Sequence, residues 1–232
     1  FSLELGGNAP AIVYPDADLA DAAQRIVDLK FSNAGQICVA PNRALVHADV
    51  YEDFLTLATE RATAFKLGSG KAKGPLMGPL ITAEAREHML TLVGEAVAAG
   101  AQIVCGGRRP QQPERGYFFE PTILRDVRPD MRVAQQEIFG PILPVIRYTD
   151  EDDVLAISND TPYGLAAYVF TMNLSTALRA AEGLQFGSVC VNEPHFGVHL
   201  PHSGLKQSGV GLDRSSYSLE EYLTLKRVSL RK

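Results

Sequence analysis

Short apolar runs alternate along this chain with longer stretches whose apolar residues repeat at helical spacing. That alternation is the strongest constraint on what it can fold into. Ala11-Ile12-Val13-Tyr14 is an apolar run suited to a buried strand. Pro15-Asp16 then starts a helix with an Asp as its cap. Leu19, Ala22, Ala23, Ile26 and Val27 share one face of it, and Gly35 closes it. Ala44-Leu45-Val46 is the next strand, followed by a helix over Tyr51–Phe65 with Phe54, Leu55, Ala58, Ala62 and Phe65 on one side. Leu67–Leu80, rich in Gly and Pro, and the polar stretch Arg108–Gly116 read as loops. Thr82 caps a helix over Ala83–Ala99. Ile103–Cys105, Phe118–Leu124, Ile142–Ile146, Ala166–Phe170 and Ser188–Val191 read as strands, and Asp152–Ser158 and Ser175–Glu182 as helices. This order predicts an α/β fold, a three-layer open sheet with helices on both faces. Leu223–Lys232 alternates β-formers with charges, the pattern of an edge strand that needs a partner.

Composition removes several classes. The chain has 232 residues, enough for one large domain or two small ones. No apolar run approaches the roughly 18–20 residues that span a bilayer, so no membrane partner is expected. The net charge is −5 and no dense Lys/Arg stripe is present, so nucleic acid is not expected as a partner either. Three cysteines do not make a disulfide framework and point to a reducing, cytoplasmic location. The chain opens at Phe1 inside a Leu-Glu-Leu-Gly-Gly motif with no basic segment before it. Phe1–Gly7 therefore reads as the interior of a longer polypeptide and not as a signal peptide.

Cys105 and Cys190 lie in strand interiors between apolar neighbours, where a small buried hydrophobe is expected. Cys38 differs: it follows the helix stop at Gly35 and precedes Pro41, a turn in which a thiol can be exposed and aimed as a nucleophile. Glu4 stands between Leu3 and Leu5. It is either a strand-edge carboxylate facing water or, near a desolvated thiol pocket, a general base. His195, His199 and His202 invite a metal reading, but Gly197 and Pro201 break any shared helix. They are expected to line a surface or pocket, with no metal. Neither Gly68–Gly74 nor Gly204–Gly211 matches a dinucleotide or phosphate fingerprint.

Five motifs, taken together and in order, resemble the aldehyde dehydrogenase superfamily. Leu3–Pro10 resembles its Glu motif and Gly35–Arg43 its nucleophile motif, 34 residues apart from Glu4 to Cys38. Glu137-Ile138-Phe139-Gly140-Pro141 resembles its cofactor motif, and Asn159–Leu165 and Lys206–Gly211 are further markers. The resemblance implies that Cys38 attacks an aldehyde as thiolate, that hydride passes to the nicotinamide of NAD or NADP, and that Glu4 activates the water that hydrolyses the thioester. It also implies that Glu137 holds the nicotinamide ribose, with Phe139 and Leu5 beside the nicotinamide. Ile37, Val39 and His202 would line the substrate pocket, and the Cys38 backbone N–H would serve the oxyanion.

The resemblance covers the C-terminal half of a family member. The expected division is a catalytic domain over 1–200 and a segment over 201–232 bearing an oligomerisation strand, with the nucleotide-binding half outside the chain. The implied partners are a small aldehyde and further copies of the chain. Cofactor binding by these residues alone is expected to be weak or absent. Leu200–Gly209 leans toward aminoaldehyde-type members and Lys30–Arg43 toward succinate-semialdehyde-type members, although Ser32 stands where many of the latter carry an Arg for a substrate carboxylate. Two other outcomes stay open: a cysteine-dependent esterase, and a non-catalytic piece that only packs against partners.

Overall fold

The computed structural model describes residues 2–70 and 76–231. Seven strands form its main sheet: β1 (Ala9–Val13), β2 (Pro41–His47), β3 (Gln102–Cys105), β4 (Thr122–Arg125), β5 (Ile142–Tyr148), β6 (Ala166–Phe170) and β7 (Ser188–Val191). Their spatial order is β7-β6-β1-β2-β5-β4-β3. All neighbours are parallel except β3 and β4, which are antiparallel. Every residue of β1 and of β6 is buried, which is why both read as continuous apolar runs and not as alternating ones.

Five helices cover the sheet: α1 (Leu19–Phe31), α2 (Tyr51–Thr63), α3 (Ala83–Ala98), α4 (Glu151–Asn159) and α5 (Leu174–Gly183). The connection β1–α1–β2 runs one way across the sheet and β5–α4–β6 runs the other. Right-handed crossovers therefore put α1 and α4 on opposite faces. On its face α1 packs against α2, joined by a two-pronged Arg61–Asp28 pair at 2.6 and 2.8 Å. On the opposite side the Arg43 guanidinium of β2 reaches the last turn of α4, where it donates to the Ile157 and Ser158 carbonyls at 3.1 and 2.8 Å. Among the described residues no helix is long and apolar enough to cross a membrane.

The helices start and stop for local reasons, and some differ from expectation. The N-cap of α1 is Asp18, whose carboxylate accepts from the Asp21 N–H at 3.1 Å. Asp16 instead accepts from the Thr171 hydroxyl and the Met172 N–H, tying the start of α1 to the end of β6. The helix ends at Phe31, not Gly35. Asn33, Ala34 and Gly35 all turn left-handed behind it, with φ of 50°, 56° and 72°. Phe118–Pro121 is irregular, and the strand expected there begins at Thr122.

Cys105 and Cys190 do lie in strands, but both are half-buried. Their strands, β3 and β7, are the two edges of the sheet, so one side of each has no neighbouring strand. Within the expected loop over 67–80, Lys66–Leu67 pairs with Leu76–Met77, and residues 71–75 lie outside the described residues. Ser216–Tyr222 forms a 3₁₀ turn, and Leu223–Arg231 is exposed and belongs to no strand.

Candidate active site

The residues singled out in the sequence collect where the parallel strands begin. Glu4 precedes β1, Cys38 precedes β2, Glu137 precedes β5, and the Asn159–Leu165 loop precedes β6. Open α/β sheets ordinarily offer ligands the carboxyl ends of their strands. Here the chemistry-bearing loops lie at the amino ends, because the motifs occupy the segments entering the strands.

A frame of backbone and amide contacts holds these loops together. Leu3–Glu4 pairs antiparallel with Gly209–Val210, and the Leu5 N–H donates to the Ser208 carbonyl at 2.9 Å. The Ser208 hydroxyl, fully buried, accepts from the Gly164 N–H at 2.9 Å. Lys206 donates to the Asn159 and Thr161 carbonyls at 2.8 and 3.1 Å. The Lys206–Gly211 marker thus clamps the Glu4 strand to the Asn159–Leu165 marker. The expected division at residue 200 falls just ahead of this clamp.

On the other side, buried Asn42 donates to Asn8 Oδ1 at 2.7 Å and to the Gln136 carbonyl at 2.8 Å, and its own Oδ1 accepts from the Ile138 N–H at 2.9 Å. Asn8 donates onward to the Ala134 and Gln135 carbonyls. Tyr168 of β6 donates its hydroxyl to the Val39 carbonyl. The left-handed turn before Cys38 needs Gly35: a Cβ there would lie 2.2 Å from the Gly140 carbonyl oxygen.

Inside the frame, the Cys38 thiol faces the Glu4 carboxylate, with Sγ 3.7 and 3.8 Å from its two oxygens. Burial pushes the Cys38 thiol up, and the Glu4 charge pushes it further the same way. The backbone N–H groups of Val39 and Cys38 pull in the other direction. His202 Nε2 lies 2.9 Å from Glu4 Oε1. Glu137 Oε1 accepts from the Gly7 N–H at 2.9 Å. Burial raises the Glu137 carboxyl, opposed by that N–H and by Lys30 and reinforced by Glu4. Lys30, 1% exposed, is pushed down to about 7 by burial, with Glu137 acting against the shift.

A cleft of about 440 Å³ opens over this group, lined by Leu5, Gly6, Gln36, Ile37, Phe139 and the Cys38, Glu4 and Glu137 side. Phe139 holds a left-handed backbone, φ 48°, and is 47% exposed at the rim. Of the residues expected to line a substrate pocket, Ile37 lines this cleft and Val39 and His202 do not. The Val39 side chain packs in the core, and His202 lines a separate cavity with His195 and Phe196. The His195 and His199 rings lie 6.1 Å from each other. Among the described residues no group of three or more His, Cys, Asp or Glu is placed to hold a metal. Asn8, Asn42, Lys30, Tyr168 and Ser208 are given no role of their own in the sequence reading of the site. One signal was present for the first two, since each follows its motif residue by four positions.

The site thus sets a thiol against a carboxylate, on loops that enter a parallel sheet beside an open cleft. The sequence pattern of the aldehyde dehydrogenase family matches residues 1–228, and the chain belongs to that family. It is 44% identical over 230 residues to the mitochondrial succinate-semialdehyde dehydrogenase of Arabidopsis thaliana, a match covering 99% of this chain and 43% of that protein. Its structure resembles that of an NADP-dependent enzyme of Escherichia coli, with a TM-score of 0.94 and 42% identity over 97% of this chain and 47% of that one. It also resembles an aldehyde dehydrogenase of Mycobacterium tuberculosis complexed with NAD+, with a TM-score of 0.92 and 35% identity over 95% of this chain and 46% of that one. The chain spans about half the length of the curated relatives it matches.

Proposed function

We propose that this chain carries the nucleophile and the deacylating base of an NAD(P)-dependent aldehyde dehydrogenase that oxidises a small aldehyde to its carboxylic acid. The observation that carries the reading is the Cys38–Glu4 contact at the mouth of the cleft. At rest the thiol keeps its proton, since burial and the Glu4 charge both favour the neutral form. The thiol proton leaves to solvent as Sγ bonds to the aldehyde carbon, and the carbonyl oxygen takes the charge, so that Glu4 stays ionised for the later step. The backbone N–H groups beside the sulfur are placed to stabilise that charge, and the product is a thiohemiacetal.

The cleft fits the nicotinamide-ribose end of the cofactor. Glu137 Oε2 is free to accept from hydroxyls, since only Oε1 is taken by the Gly7 N–H. Gly6 keeps the wall bare: a Cβ there would lie 2.6 Å from Glu137 Oε2. The rim ring of Phe139 and the half-exposed Leu5 give a flat heterocycle apolar surface. Bound there, nicotinamide would supply the hydride acceptor that converts the thiohemiacetal into a Cys38 thioester. Glu4 then takes a proton from water as the water oxygen attacks the thioester carbonyl. The C–S bond breaks, the acid leaves, and the proton held by Glu4 returns to the Cys38 thiolate.

Assembly into oligomers belongs to the same proposal. It is supported by Leu225 and Leu230, which stand fully exposed in a segment without a strand partner.

Acetylation with nitrophenyl acetate tests the nucleophile without cofactor. Cys38 should acquire the acetyl group ahead of Cys105 and Cys190, and Cys38→Ala should abolish ester turnover. Equal acetylation of all three cysteines overturns the assignment. In a polypeptide of the relatives' length that carries these residues, aldehyde-dependent NAD(P) reduction should be lost with Cys38→Ala. This chain by itself contacts only the nicotinamide end, and remote groups supply much of a cofactor's binding free energy. The expected affinity is millimolar or weaker, and micromolar binding by calorimetry overturns that reading of Glu137 and Phe139.

A further inference from the structure

Glu4 must meet a water above the Cys38 thioester, yet little else steadies its side chain. Its backbone is fixed by pairing with Gly209 and by the Leu5–Ser208 bond. Its carboxylate hangs on freely rotating bonds, partly exposed, and the contacts to the sulfur at 3.7 and 3.8 Å are long. The remaining contact is the one to His202, at 2.9 Å on Oε1. A carboxylate only accepts, so an ionised Glu4 requires that His202 Nε2 carry the proton and donate it.

His202 is built to hold still. It is 5% exposed, whereas His195 and His199 are not buried. Its backbone exchanges two hydrogen bonds with Asp213, both at 2.8 Å. Its ring stands edge-on to Phe196, which is in turn edge-on to Tyr168, the residue that bonds the Val39 carbonyl beside Cys38. The imidazole is thus anchored to the same wall that positions the thiol.

We infer that His202 is a positioning residue for deacylation: it pins Glu4 Oε1 and so keeps Oε2 over the sulfur, where it can take the proton of the attacking water. The inference rests on the roles proposed for Cys38 and Glu4. It makes a distinction that those roles do not, since His202 should matter for breaking the thioester and not for forming it. A side chain free to rotate spends most of its time away from one productive geometry, and misplacement on the ångström scale costs about 10²-fold in rate.

The test separates the two half-reactions in the chain itself. The protein is acetylated with nitrophenyl acetate, freed of excess ester, and the decay of acetyl-Cys38 is followed by mass spectrometry. His202→Leu should acquire the acetyl group within about twofold of the unaltered rate and lose it at least ~10-fold more slowly. His202→Gln, whose amide nitrogen reaches the position of the imidazole Nε2, should recover most of the decay rate. His202→Asn, which is too short, should not. Unchanged decay in His202→Leu overturns the inference. So does equal impairment of the Gln and Asn variants, which would mark a packing role, and so does parallel loss of acylation, which would place His202 on the thiol. Should His202→Leu fail to fold, the contrast between Gln and Asn still decides. Failure of the unaltered chain to acetylate at Cys38 overturns the reading of the site itself, a separate result.

Discussion

Asn42 donates a 2.7 Å hydrogen bond to Asn8 Oδ1, and the two amides stand four residues after Cys38 and Glu4 respectively. One buried pair therefore fixes the distance between the segments that deliver thiol and carboxylate. Through the Ile138 N–H and the carbonyls of Ala134, Gln135 and Gln136 it also fixes the segment that delivers Glu137.

Removing one member of this pair leaves its partners buried and unpaired. Asn42→Ala strands Asn8 Oδ1 and the Ile138 N–H, and each buried unsatisfied group costs about 1–3 kcal/mol. A loss of about 2–5 kcal/mol in urea unfolding is expected, together with slower Cys38 acetylation. The double variant Asn8→Ala/Asn42→Ala should lose less than the sum of the two single variants, because the pair acts as one unit. Strict additivity would mean that the amides act independently.

The two glycines after Glu4 should differ in what an added methyl does. At Gly7 a Cβ would lie 2.4 Å from the Cys38 carbonyl oxygen, which is backbone in a loop held on both sides. Gly7→Ala should lower the melting temperature and suppress acetylation of Cys38 together. At Gly6 the nearest atom is Glu137 Oε2, the end of a side chain that can swing away. Gly6→Ala should keep the fold and the acetylation rate and, in a polypeptide of the relatives' length, weaken NAD(P) binding by displacing Glu137. A Gly6→Ala variant as unstable as Gly7→Ala would contradict this ordering.

Lys30 predicts a pH dependence of stability. Its folded value, about 7, lies below the ordinary 10.5, so burying the charge opposes folding. Below about pH 7 both states are protonated and the penalty is full. Between about 7 and 10.5 the unfolded chain holds more protons than the folded one, so stability rises with pH, and above that window the penalty is gone. Lys30→Met, close in volume, should therefore stabilise the protein most at and below about pH 7, by up to several kcal/mol at about 1.4 kcal/mol per unit. The advantage over the unaltered chain should shrink toward pH 10. A difference in unfolding free energy that does not vary with pH would show that Lys30 is not the group responsible.

By itself the sequence determined the elements and their order. Periodicity is local, so the apolar runs of β1, β2 and β6, the apolar face of α1 and the Thr82 cap of α3 could all be read without knowing any neighbour. The motif residues Cys38, Glu4 and Glu137 were legible for the same reason: each is marked by its own flanking residues. Only the tertiary structure decided who meets whom. The strand order β7-β6-β1-β2-β5-β4-β3 brings loops from residues 4, 38 and 137 to one end of the sheet, and no local pattern encodes that order. It turned His202 from a loop histidine into the partner of Glu4, and made Asn8 and Asn42 the frame of the site. It left Cys105 and Cys190 half-buried on edge strands, although their flanking residues read as core. It also pushed the Cys38 thiol up, because burial and the Glu4 charge act on it across 34 residues of sequence and under 4 Å of space.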